Sequence, residues 1–173
     1  WVPNIAIKLP TTQAGLELVE QLASEGNPVC ATINLSVSQA IAVAESYRKG
    51  LRKAIRSGKK NAPCFTVQQI GRIDDYLRDV AKDMRAGLDE SVITQAELAI
   101  VKRSWSIFNE MQYDAILMPA GLRGVYHITE LAGADMIFSL HPRVQKMILE
   151  ANLKKEERID IAIDKKAIES LMK

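Results

Sequence analysis

The feature that most constrains this chain is its punctuation. Short apolar, strand-like segments alternate with longer segments whose apolar residues recur at helical spacing. "NIAIKLP" leads into "TTQAGLELVEQLASEG", where Leu16, Val19 and Leu22 repeat at a period near 3.6 and Gly26 followed by Asn27-Pro28 stops the helix. "VCATINL" is followed by Ser36 and Gln39, spaced as a capping box, opening a long helix through about Lys53. "CFTVQQI" precedes "GRIDDYLRDVAKDMRAGLD", read as a loop and a helix. Thr94 and Glu97 suggest a second capping box ahead of Leu98, Val101, Trp105 and Phe108. "DAILMPA" precedes a helix around "YHITELAG", and "DMIFSL" precedes the helix "RVQKMILEAN". Strands separated by helices imply a parallel sheet with right-handed crossovers. Five strands are expected, near 4–9, 29–35, 64–70, 114–119 and 135–140. Five close a small doubly wound sheet, or form the second half of an eight-stranded barrel. The chain opens in a strand, which raises the expectation that its beginning lies outside this sequence.

Composition narrows the class. The 173 residues are 47% hydrophobic and 25% charged, as in a globular domain with a sizeable core. No apolar run approaches the roughly 20 residues of a membrane span, and no secretory signal is legible. A net charge of +2 is too mild to argue for nucleic acid. The basic run "YRKGLRKAIRSGKK" reads as a solvated helix end and loop, with an anion-binding surface as the alternative. Cys30 and Cys64 have no CxxC partner, so neither a disulfide nor a metal site is expected, and a reducing cytoplasm suits them.

In parallel α/β folds, sites form at the carboxyl ends of strands. On the first strand Ile5, Ile7 and Leu9 share one face, while Ala6 and Lys8 share the other. On the second, Cys30, Thr32 and Asn34 share a face opposite Val29, Ala31 and Ile33. Lys8 and Thr32 can therefore face inward together. A partly desolvated lysine loses its proton more readily, and the neutral amine attacks carbonyls to form a Schiff base. The alternatives are an edge-strand lysine in water and a threonine that only favours strand. Asp74 and Asp75 read as an N-cap with a first-turn acid, or as acid/base groups. His127 and His141 read as helix-start or loop histidines that can reach an anion. Trp1, Trp105 and Phe108 read as packing.

The stretch "IAIKLPTTQAGLELVEQLASEGNPVCATINLSVSQAIAVAE", with "GRIDDY", "LMPAGLR" and "ELAGADMIFSLHPRV", resembles the transaldolase family of class I, Schiff-base-forming aldolases. The resemblance implies an α/β (β/α)8 TIM barrel, of which this chain supplies roughly the fourth to eighth strands with their helices. Residues 1–152 would be the C-terminal part of that barrel, and 153–173 an amphipathic tail on its exterior. It implies a transferase of the pentose phosphate pathway, moving a dihydroxyacetone unit between sugar phosphates without metal or cofactor. Lys8 would be the Schiff-base lysine, and Thr32 would position the catalytic water. Arg123 would meet a phosphate, a role that suits a guanidinium in the last loops of such barrels. Ser139 would lie in the phosphate region, and Cys30 and Asn34 in the substrate pocket. The family usually carries asparagine at Cys30, and serine and phenylalanine at Gly121 and Leu122. Its acid/base aspartate and glutamate belong to the first and third strands. The partners expected are a sugar phosphate and either the missing N-terminal half or a second chain, as in a homo-oligomer; neither nucleic acid nor membrane is expected. The alternatives are a non-catalytic or truncated barrel module in binding or assembly, and an aldolase for small unphosphorylated carbonyl compounds.

Overall fold

The computed structural model describes residues 4–172. Trp1, read above as packing, lies outside them. The elements run β1 (Ile7–Pro10), α1 (Gln13–Glu25), β2 (Val29–Asn34), α2 (Val37–Arg56), β3 (Cys64–Gln69), α3 (Ile70–Asp83), α4 (Glu90–Glu110), β4 (Ile116–Ala120), α5 (Tyr126–Thr129), α6 (Pro142–Glu150) and α7 (Lys165–Leu171). The fold is α/β with a parallel four-stranded sheet in the order β1-β2-β3-β4. The chain forms two compact units: one runs to Gln68 and takes in Ser106–Met118, the other comprises Gln69–Trp105 and everything from Pro119.

In the first unit the helix signals act where the sequence puts them. Thr12 accepts a hydrogen bond from the Gly15 N–H and caps α1, and Gly26, at φ 81°, ends it. Ser36 and Gln39 form both bonds of the capping box on α2. Helices α1 and α2 cross closely at Gly50, where a Cβ would stand 2.3 Å from Glu20 O and 2.7 Å from Ala23 Cβ. The core gathers Val19, Ala23, Val29, Ala31, Ala40, Val43, Ala44 and Cys64, all buried. The basic run supplies the second half of α2 and the following loop. There Lys53 pairs with Glu20, and Arg48 donates to the carbonyls of Met111 and Gln112.

In the second unit Ile70, Leu98, Val101, Leu122, Leu131, Val144 and Ile159 form the core, with Trp105 packed against it. The segment after α6 belongs to this unit. Arg158 and Ile159 both donate from their backbone to Ala132 O, and Lys102 Nζ donates to Arg158 O and Ile161 O.

Several expectations are corrected. The strand expected at 135–140 is reduced to one parallel bridge between Ala120 and Ser139. Gly133 at φ 94° and the turn after it leave too little extended chain to pair further. β1 begins at Ile7, so Ile5 is exposed rather than packed. The second capping box does not form: α4 starts at Glu90, which puts Thr94 inside it and Glu97 in the interior. α3 starts at Ile70, so neither Asp74 nor Asp75 caps it. The helix around "YHITELAG" is a single turn.

Candidate functional site

β1 and β2 pair in parallel with Lys8 opposite Cys30 and Pro10 opposite Thr32. Laterally paired residues point to the same side of a sheet, so Lys8, Cys30 and Thr32 share one face. Val29, Ala31, Cys64 and Thr66, on the other face, are fully buried. The lysine face is more open: Lys8 is exposed, Cys30 half-buried and Thr32 buried. The Thr32 carbonyl accepts from both the N–H and the hydroxyl of Thr11, tying the end of β2 to the turn after β1. Burial pushes the Cys30 thiol up, against the opposing pull of Lys8. Burial likewise raises Cys64, to about 12. Both cysteines are free thiols.

The alternation of β2 fails beyond Thr32. Ile33 adopts φ 65°, a strained backbone for a β-branched residue, and its side chain is exposed instead of joining Val29 and Ala31. The register with β3 shifts between Ala31 and Asn34. Asn34 turns inward and donates through Nδ2 to Ala31 O at 3.1 Å and Val67 O at 2.8 Å. Its amide nitrogen is thus committed to stitching the irregularity, while buried Oδ1 has no hydrogen-bond partner among the described residues.

The second unit carries the other candidates. Arg123 and Ser139 line one cavity of about 730 Å³, with Gly121, His141 and Arg143. Ser139 is exposed, and its N–H donates to Pro119 O. His141 caps α6, accepting through Nδ1 from the Arg143 N–H. Arg123 is no loose loop charge. Its Nε donates to both Asp75 oxygens at 3.1 and 3.0 Å, its Nη2 also reaches Asp75, and its Nη1 donates to Gly121 O at 2.6 Å. That hydrogen bonding, with Arg78 and Arg72 nearby, holds the Asp75 carboxyl below its usual range. Gly71 permits the arrangement, because a Cβ there would stand 2.1 Å from Gly121 O and 2.8 Å from Arg123 Cγ.

Behind Arg123 lies a buried polar cluster. Asp74 and His127 are fully buried, and Tyr126 donates to Asp74. Glu97 is 2% exposed and accepts from the Ile73 N–H at 3.2 Å. Burial, then Asp74, raise its carboxyl to about 9. Asp74, Asp75 and His127 stand out as candidates in the sequence, whereas Gly71 and Tyr126 do not, and Glu97 reads there only as half of a capping box. A signal was present for Glu97: it falls between Ile93 and Val101 on the helical stripe that α4 buries. Among the described residues, no group of three or more histidine, cysteine or acidic side chains is arranged to hold a metal ion.

A parallel β/α chain with its polar candidates at strand ends and in the following loops belongs to the class of α/β proteins that build sites there. The family model for Transaldolase/Fructose-6-phosphate aldolase matches residues 1–173, and the chain belongs to that family. A probable transaldolase of Agathobacter rectalis is 26% identical over 147 residues, covering 84% of this chain and 53% of that protein. Transaldolase 2 of a Nostoc species is 33% identical over 109 residues, 61% of this chain and 28% of its own. Transaldolase A of Pasteurella multocida is 28% identical over 167 residues, 95% of this chain and 45% of its own. The chain thus spans about half, or less, of the length of these relatives. No helix among the described residues is long and apolar enough to cross a membrane.

Proposed function

We propose that the chain forms part of a cytoplasmic transaldolase-like barrel that moves a dihydroxyacetone unit between sugar phosphates through a Schiff base on Lys8. The observation that carries this reading is the β1–β2 register, which gives Lys8 and Thr32 a common sheet face in a chain of this family. The Lys8 amine adds to the ketose C2 carbonyl and loses water to give an iminium. The C3–C4 bond breaks, its electron pair moves into the enamine, and the C4 hydroxyl proton passes to a base as the aldehyde leaves. The enamine carbon then attacks an acceptor aldehyde, and water releases the product and restores the amine. Thr32 orients the water. Arg123 and Ser139, which line one cavity, receive the phosphate, and Cys30 borders the sugar, with Asn34 holding the end of β2 behind it. Residues 1–152 are the barrel part, and 153–173 is a tail that packs on it, burying Ile159. The base, and the cover that withdraws Lys8 from water, come from an N-terminal half or from a second chain.

The exposure of Lys8 favours a second reading: a chain of this extent acts in binding or assembly and does not turn over. One assay separates the two. The protein is given fructose 6-phosphate with and without an aldose-phosphate acceptor. The transferase makes a new ketose phosphate that requires the acceptor and disappears in Lys8→Ala. Free dihydroxyacetone without an acceptor marks an aldolase, and no turnover marks the binding module.

A further inference from the structure

The groups behind Arg123 hold it at two points from one helix. The Arg123 backbone N–H donates to His127 Nδ1 at 3.1 Å. Nδ1 is therefore unprotonated, and the ring carries its proton on Nε2. Nε2 lies 3.3 Å from Asp74 Oδ2, close enough for attraction although not aligned as a full hydrogen bond. Tyr126 donates to the same oxygen, and Arg78 approaches it to 3.7 Å. The guanidinium is bound separately by Asp75. Asp74 and Asp75 are consecutive on α3, so one helical turn holds the head of Arg123 directly and lies against the ring that holds its backbone. Neither His127 nor Asp74 lines the cavity. Arginine offers five N–H donors. Three are engaged by Asp75 and Gly121 among the described residues, which leaves one on each terminal nitrogen for an oxyanion.

We propose that His127, oriented by Asp74, is a positioning residue: it sets the Gly121–Arg123 turn so that the two remaining guanidinium donors meet a phosphate in the cavity. The inference rests on the reading of that cavity as a phosphate site. A full hydrogen-bond acceptor on a wholly buried ring would otherwise serve the backbone of an exposed arginine, which packing alone does not require.

The test uses the full chain as isolated and titrates it with inorganic phosphate by calorimetry. Arg123→Ala should weaken binding at least about tenfold. If it does not, the phosphate reading of the cavity fails, whatever His127 does. If Arg123→Ala does weaken binding, His127→Phe, which keeps a ring but removes the acceptor, should raise Kd about tenfold. His127→Asn, whose amide oxygen can replace Nδ1, should stay within about threefold. His127→Phe binding like the unaltered protein, or His127→Asn weakened as much as His127→Phe, overturns the inference. Should His127→Phe not fold, nitrogen-15 NMR of the unaltered protein decides: the proton must sit on Nε2 of His127, and a proton on Nδ1 overturns the inference equally.

Discussion

At the scale of single residues, the second unit is governed by where acids sit relative to water. Glu97 occupies a core position on α4, and its carboxyl is raised from 4.5 to about 9. A raised acid pKa means that the folded state holds its proton more tightly than the unfolded chain does. The folded state therefore loses stability as pH rises from about 4.5 to about 9, and the loss is flat on either side. Glu97→Gln keeps an acceptor for the Ile73 N–H and removes the ionisation. Its stability relative to the unaltered protein should be near parity at pH 4 and below and should exceed it by about 3 kcal/mol near neutral pH. Urea unfolding at several pH values measures this, and a pH-independent difference between the two proteins would refute it. Asp75 behaves in the opposite sense. Its pairing with Arg123 lowers its pKa, so that contribution is present above the ordinary carboxylate range and is lost on acidification.

At the scale of elements, the chain's legibility followed local chemistry. Gly26 and the Ser36–Gln39 box mark α1 and α2 because capping is satisfied within a few residues. The Thr94–Glu97 pair has the same spacing and does not cap, because Glu97 is drawn into the core of the second unit, a tertiary choice that spacing cannot report. Likewise Ile33 obeys the strand alternation in sequence and breaks it in the fold, because Asn34 bonds to β3 across a register shift. Lys8 and Thr32 were legible as a pair from alternation alone. The hold of Asp75 on Arg123 was not, since 48 residues separate them. The α1–α2 crossing supplies a direct test of element packing. Gly50→Ala places a methyl against Glu20 O, so it should destabilise the protein by about 1–3 kcal/mol in urea unfolding. A loss below a few tenths of a kcal/mol would show that the two helices do not hold that approach.

At the scale of the whole molecule, the sheet has one face that is fully buried along β2 and β3 and one that presents Lys8 and half-buried Cys30. Among the described residues, β1 pairs with β2 alone, so its outer edge carries unpaired backbone groups. The chain should accordingly associate with another chain. Sedimentation velocity should show dimers or larger species at high protein concentration, and a stable monomer there would contradict this. The amine of Lys8 remains the centre of the account. The most direct measurement is reductive trapping: the protein is incubated with fructose 6-phosphate, treated with borohydride, and its intact mass and modified peptide are read. The account predicts a covalent three-carbon adduct on Lys8 that Lys8→Ala abolishes. No adduct, or one that persists in Lys8→Ala, would contradict it.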